Sequence, residues 1–249
     1  MGANIGINKA FILAGGLGTR LKPITLEMSK LILPVQGKPC LQWNIELVKR
    51  HGIRDITLAV GFKHEQIQEH FGSGEKLGVK LHYNVEEDYM GTAGALKIAE
   101  GHLKGEKKFI GMNGDEIKDL DLALMSRVHD KNKAVATIAL TTVAYTKAGG
   151  LVRLEGEKVT EFNEKPPEEE EGFKLIHAGA YILNPRIFEF IPANKKVSIE
   201  KEVFPHLAEE GLLCGVDMKE RQFLQTDTFE RYEKAIFDWK GFTKSELDA

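Results

Sequence analysis

Apolar positions along the chain fall into two patterns. Through the first half, short unbroken apolar runs alternate with segments whose apolar residues recur every three or four positions: "KAFILA", "LQWNIELVKRHG", "DITLAV", "HEQIQEHF", "VKLHYN", "GALKIAEGHL", "KFIGMNGD". Unbroken runs suit strands covered on both faces, and the longer period suits the helices that cover them. This rhythm therefore predicts a parallel sheet with helices packed on it. After about Leu120 the runs become "AVATIALTTV", "LVRLEG", "KVTEFNEK" and "LIHAGAYILN", joined by glycine-rich or charged turns, with a hairpin expected at the "GE" between two of them. The second half should add mixed or antiparallel strands, then a last helix at "TFERYEKAIFDWK".

No internal repeat and no Pro/Ser-rich linker divides the chain, so a single domain over residues 1–249 is expected. "PPEEEEG" is the best loop candidate, a solvated charged turn. The histidines of "HEQIQEH" are six residues apart, roughly 120° apart around a helix, and cannot share an ion as an i, i+4 pair would. That segment reads as a solvent-facing helix.

Composition narrows the function classes. Of 249 residues 42% are hydrophobic, enough for a real core, and a net charge of −3 gives no reason to expect nucleic acid or an acidic membrane as partner. A small anionic ligand stays open. Two cysteines, Cys40 and Cys214, make neither a disulfide framework nor a metal cluster; two buried thiols in a reducing cytoplasm is the simplest reading. No stretch reaches the roughly 18 apolar residues of a membrane span, and Gly6 stands where a myristoylation signal needs Ser or Thr.

The chemistry concentrates in "LAGGLGTRLKPITLEMSK". If "KAFILA" is the first strand, Gly15, Gly16 and Gly18 form the turn at its carboxyl end, where open α/β sheets place ligands. Leu21 stands where the dinucleotide fingerprint has its third glycine, and the "GKT" or "GKS" of a P-loop is absent. Arg20 follows the turn directly, and its guanidinium matches two phosphate oxygens at once. Lys30 offers a second cation.

The string "LAGGLGTRLKPIT…SKLILPVQGKPCL" resembles the signature of the sugar-1-phosphate nucleotidylyltransferases, most nearly the mannose-1-phosphate guanylyltransferase type. "YMGTAGALKIAE", "GMNGD", "GGLVRLEGEKVTEFNEKP" and "HAGAYILNP" follow in the family's order, so the resemblance runs to about Asn184. It implies a Rossmann-like nucleotide-diphospho-sugar transferase fold, α/β, with a mixed, mostly parallel central sheet flanked by helices. A nucleotide-binding half would span about residues 8–130 and a sugar-phosphate half about 131–240, with no C-terminal β-helix.

The implied reaction moves a nucleotidyl group from an NTP to a sugar 1-phosphate. The sugar-phosphate oxygen attacks the α-phosphorus in line and pyrophosphate leaves. Such a step crowds negative charge, so cations and a carboxylate-held Mg²⁺ should carry the catalysis. Carried over by position, Leu13, Gly15, Gly16, Gly18 and Thr19 would hold the nucleotide, with Gly91 and Thr92 at the base. Arg20 would grip the leaving pyrophosphate, Lys30 would neutralise the phosphates, and Asp115 would hold Mg²⁺. Gly114, Gly150, Glu164, Lys165 and Gly179 would meet the sugar phosphate, Lys165 as a fourth catalytic group.

Two departures stand out. His177 replaces an Asn common among relatives, as a sugar contact or as a hydrogen-bonded wall residue. "FLQTDTFERY" puts Gln225 where relatives often have the second metal-binding Asp, and Asp227 is assigned that role instead. The expected substrates are GTP with mannose 1-phosphate or a manno-heptose 1-phosphate. Glucose-1-phosphate thymidylyl-, uridylyl- or cytidylyltransfer is the alternative within the class, and an inactive nucleotide-sugar-binding regulator is the alternative outside it. A cytoplasmic enzyme without membrane or nucleic-acid partners follows, and a homodimer is compatible with the sequence.

Overall fold

The computed structural model describes residues 5–145, 150–164, 171–219 and 221–243. In chain order the strands are β1 (Lys9–Ala14), β2 (Pro34–Val35), β3 (Lys38–Pro39), β4 (Asp55–Val60), β5 (Lys80–Val85), β6 (Phe109–Asn113), β7 (Glu116–Lys118), β8 (Ala136–Tyr145), β9 (Gly150–Glu155), β10 (Lys158–Glu164), β11 (Glu171–Leu183), β12 (Leu213–Asp217) and β13 (Phe223–Gln225). The α-helices are α1 (Ile24–Glu27), α2 (Cys40–Arg50), α3 (His64–Phe71), α4 (Gly91–Ile98), α5 (Glu100–Leu103), α6 (Leu122–Asn132), α7 (Phe204–Glu209) and α8 (Phe229–Asp238). The fold is mixed α/β, and the chain forms two compact units, Met1–Tyr89 with Met112–Asp119 and Gln222–Ala249, and Met90–Gly111 with Leu120–Arg221.

In the first unit β1, β4 and β5 run parallel in the order β5-β4-β1, with Lys9 opposite Asp55 and Asp55 opposite Lys80. Parallel strands need cover on both faces, which is why "FIL" of β1 and "ITLAV" of β4 carry almost no polar residue. α2 turns Cys40, Leu41, Asn44, Ile45, Leu47 and Val48 inward; Lys49 and Arg50 in its last turn complement the helix dipole.

The far end of the chain returns to this unit. β13 pairs antiparallel with β7, Gln225 opposite Glu116 and Phe223 opposite Lys118. α8 then packs Ala235 and Trp239 against Val35, Cys40 and Ile117, and the indoles of Trp43 and Trp239 meet edge to face at 5.5 Å. Burying each such aromatic contributes about 1.5–3 kcal/mol, which anchors the C-terminal segment.

The second unit is mainly antiparallel. β11 pairs with β8 and β9, and β9 with β10 through the predicted hairpin, where Gly156 takes φ 64°. β12 lies parallel to β8. The β11 register shifts between His177 and Tyr181, and within that bulge Gly179 takes φ 62°, a left-handed conformation that favours glycine. "GALKIAEGHL" is helical as expected, divided at Ala99 into α4 and α5. Most of "PPEEEEG" lies outside the described residues; its last two residues open β11.

Both cysteines are buried, and burial pushes the Cys40 thiol up to about 12. Among the described residues no helix is long and apolar enough to cross a membrane.

Candidate functional site

β1 ends at Ala14, and the chain turns through Gly15, Gly16 and Gly18 into a short 3-10 turn, Thr19–Leu21. Gly18 has φ 63°, and its carbonyl accepts from Leu21 N–H at 2.9 Å and from the Thr25 hydroxyl at 2.8 Å. Gly16 has a different reason to be glycine. A Cβ there would stand 2.7 Å from Lys30 Nζ, so the missing side chain lets the ammonium lie against the turn. Gln66 of α3 fastens the segment before Lys30, accepting from Ser29 N–H and donating to Glu27 O, each at 2.8 Å.

Lys30 is ion-paired and hydrogen-bonded to Asp115 Oδ2, and the two side chains are 11% and 28% exposed. Burial alone would disfavour both charges. Their mutual attraction outweighs it, holding Asp115 below the usual carboxylate value and Lys30 above the usual amine value. Arg20 Nη2 meets Asp227 Oδ2 at 2.5 Å. Asp115 and Asp227 are far apart in sequence, one near the middle of the chain and one near its end, and the β7/β13 ribbon explains their approach. Thr226, next to Asp227, donates from its hydroxyl to the Asp115 carbonyl at 2.8 Å.

These groups open on a cavity of about 690 Å³, lined at one side by residues 15–20, Lys30 and Asp227, and at the other by Gly61, Phe62, His64, Val85, Glu86, Glu87 and Tyr89. The arrangement joins a glycine turn, two cations each backed by a carboxylate, and room for a nucleotide-sized ligand at the carboxyl ends of β1, β4 and β5.

A family model described as nucleotidyl transferase matches residues 9–235. The chain belongs to this nucleotidyl transferase family. It is 40% identical over 217 residues to a mannose-1-phosphate guanyltransferase of Yarrowia lipolytica, covering 85% of this chain and 58% of that relative. The chain spans less than three-fifths of the length of this and other curated relatives it matches. Among solved structures, a Bacillus anthracis protein described as a glucose-1-phosphate thymidylyltransferase, in complex with a sucrose, matches with TM-score 0.84 at 25% identity over 96% of this chain and 98% of that one. HddC from Yersinia pseudotuberculosis, complexed with GMP-PN, matches with TM-score 0.77 at 27% identity over 92% and 98%. Both support a mixed α/β nucleotidyltransferase fold.

Within this family member, the expected residues Arg20, Lys30, Asp115 and Asp227 are gathered in the first unit, and Gly15, Gly16, Gly18 and Thr19 line the cavity beside them. Leu13 and Gly114 meet through their backbones: Gly114 N–H donates to Leu13 O at 2.8 Å, and a Cβ on Gly114 would lie 2.7 Å from that oxygen. In the second unit Gly150 lies opposite Glu164 and leaves space for its carboxylate, which a Cβ would meet at 2.7 Å. Gly91, with φ 77°, lies against Val197 O, and Thr92 donates to Glu200 at 2.7 Å while accepting from Ile199 N–H. Gly179 sits in the β11 bulge, and His177 is buried among Phe162, Tyr181 and Phe204. Lys165 lies outside the described residues.

Sequence reasoning missed the second wall of the cavity. α3 is not simply solvent-facing: Ile67 and Phe71 are buried, and His64 lines the cavity. The available signal was positional, because "GFKH" and "EEDY" follow the carboxyl ends of β4 and β5. Arg231 was also missed; its Nη1 reaches both Asp227 oxygens, at 3.0 and 3.3 Å. Gln225 hydrogen-bonds Glu116.

Asp115 and Asp227 are hard anionic oxygens of the kind a divalent cation takes. Each is now neutralised by a nitrogen cation, Lys30 or Arg20. The residues present fit such an ion.

Proposed function

We propose that this protein transfers a guanylyl group from GTP to mannose 1-phosphate, or to a manno-configured heptose 1-phosphate, in the cytoplasm. The observation that carries the reading is the pairing of Arg20 and Lys30 with Asp227 and Asp115 at the mouth of the glycine turn. In the reaction a sugar-phosphate oxygen bonds to the α-phosphorus, the α–β bridging bond breaks, and its electrons leave with pyrophosphate. Charge accumulates on the phosphoryl oxygens, so groups that stabilise it there lower the barrier. Arg20, two-pronged and exposed, suits the departing pyrophosphate; Lys30, confined beside Gly16, suits the α-phosphate. Asp115 and Asp227, rather than Gln225, would hold Mg²⁺, which supplies further positive charge to the phosphates.

Glu164, Lys165, Gly150 and Gly179 belong to the sugar-phosphate side of this proposal, and Gly91 and Thr92 to its base side, within one domain of nucleotide and sugar-phosphate halves. The naming of the Yarrowia relative as a guanyltransferase and the GMP-PN bound to HddC support guanine. Purified protein given each NTP with a panel of sugar 1-phosphates and Mg²⁺ should release pyrophosphate fastest with GTP and a manno-configured sugar. Silence across the panel sinks the proposal. Tight nucleotide-sugar binding without turnover would instead mark a regulatory protein, a reading opposed by the retention of Arg20, Lys30 and Asp115.

A further inference from the structure

Asp227 has two guanidinium partners of unlike exposure. Arg20 sits on the cavity wall with its side chain 63% exposed, and Asp227 is its only ion-pair partner among the described residues. Arg231 is not part of that wall. It grows from the first turn of α8, its own N–H donates to the Thr228 hydroxyl, and it spans both Asp227 oxygens. α8 is held in turn by Tyr232, whose hydroxyl donates to Pro34 O at 2.8 Å, and by buried Ala235 and Trp239.

We propose that Arg231 is a positioning residue that holds Asp227 in place and neutralised while Arg20 is handed from Asp227 to an incoming polyphosphate. With a single cationic partner, the departure of Arg20 would leave a carboxylate only 15% exposed without compensation, at the cost attached to uncovering a charge. With two cations on one carboxylate, one can leave. Arg231 is the one that stays, because its Nη1 reaches both oxygens and its helix is anchored, whereas Arg20 springs from a glycine-rich turn. Asp227 thereby remains oriented toward the cavity after Arg20 has moved. This rests on the phosphate-gripping role proposed for Arg20.

The test is calorimetric titration of inorganic pyrophosphate into the full chain with all divalent cations chelated. Asp227→Asn releases Arg20 and should tighten binding about tenfold, the equivalent of one charged hydrogen-bonded pair. Glu69→Gln, the same charge change on the exposed side of α3 and outside the cavity lining, should alter it less than about twofold. Arg231→Gln leaves Arg20 as the sole partner of Asp227 and should weaken binding about fivefold. Arg231→Lys, which keeps the charge on a shorter side chain, should fall between, and Arg231→Gln with Asp227→Asn should bind at least as well as wild type. A role in α8 stability alone would lower the melting temperature without reproducing this order. Unaltered affinity in Arg231→Gln, or Asp227→Asn no tighter than Glu69→Gln, overturns the assignment, as does full restoration by Arg231→Lys, which would reveal charge acting at a distance. Wild type that binds no pyrophosphate overturns the reading of the reaction as well.

Discussion

Gly16 in the first unit and Gly111 in the second each stand where a side chain would collide with a neighbour, and the neighbours differ in kind. At Gly16 the neighbour is the tip of Lys30, 2.7 Å from where a Cβ would be, a flexible end that can swing aside. At Gly111 it is the ring of Tyr181, only 2.1 Å away, fully buried and packed against His177 and Phe204. The comparison separates two uses of the same residue. One glycine lets a charge approach a turn; the other lets a ring approach a strand.

Replacements and acid separate the two regions. The largest effect should come from Asp115→Asn, which removes the charge that Lys30 answers while keeping its shape. Turnover should fall by about a thousandfold, the scale of losing one charge-stabilising group, with little change in circular dichroism. A near-normal rate would remove Asp115 from the reaction. Gly111→Ala should cost about 3 kcal/mol through overpacking and lower the melting temperature by roughly 6–12 °C. If the variant melts with wild type, the ring is free to yield and the contrast with Gly16 fails.

Acid should act on the second unit through His129, which is buried with Nδ1 3.0 Å from the Thr137 hydroxyl; burial, aided by Lys108, pushes its pKa from 6.5 down to about 4. Below pH 6.5 the unfolded chain takes up this proton more readily than the folded one. Stability should therefore fall between pH 6.5 and about 4, by at most about 3 kcal/mol. His129→Gln, measured by denaturant melts across that range, should flatten the slope; an unchanged slope assigns the acid sensitivity elsewhere. The smallest effect is expected from Gly16→Ala. Displacing the Lys30 ammonium should slow turnover about tenfold while the melting temperature moves little. A large loss of stability would make Gly16 architectural, like Gly111.

Much of the fold was legible because local chemistry and global structure agree. "KAFILA" forms β1, the glycines form its carboxyl-terminal turn, "GE" makes the hairpin, and Asp115 follows the strand ending at Asn113. The cations Arg20 and Lys30 were legible from residue type and order. Their partners were harder to see. The Asp227–Arg231 contact is an i, i+4 pair available to any helix start, and nothing local says that Arg20 joins it. Helical periodicity correctly marks Ile67 and Phe71 as the apolar side of α3. It is silent about the first residue of a helix, whose direction is set by the strand before it, and that is why His64 was read as part of a solvent-facing helix rather than as a cavity residue.

The β7/β13 ribbon also places the site in time. Asp115 waits at one end of a short strand for a hydroxyl donor that arrives more than a hundred positions later, at Thr226. During synthesis the glycine turn, Arg20 and Lys30 emerge long before that partner does. A nascent chain can thus fold its first parallel strands well before β13 and α8 arrive to complete the surroundings of Asp115.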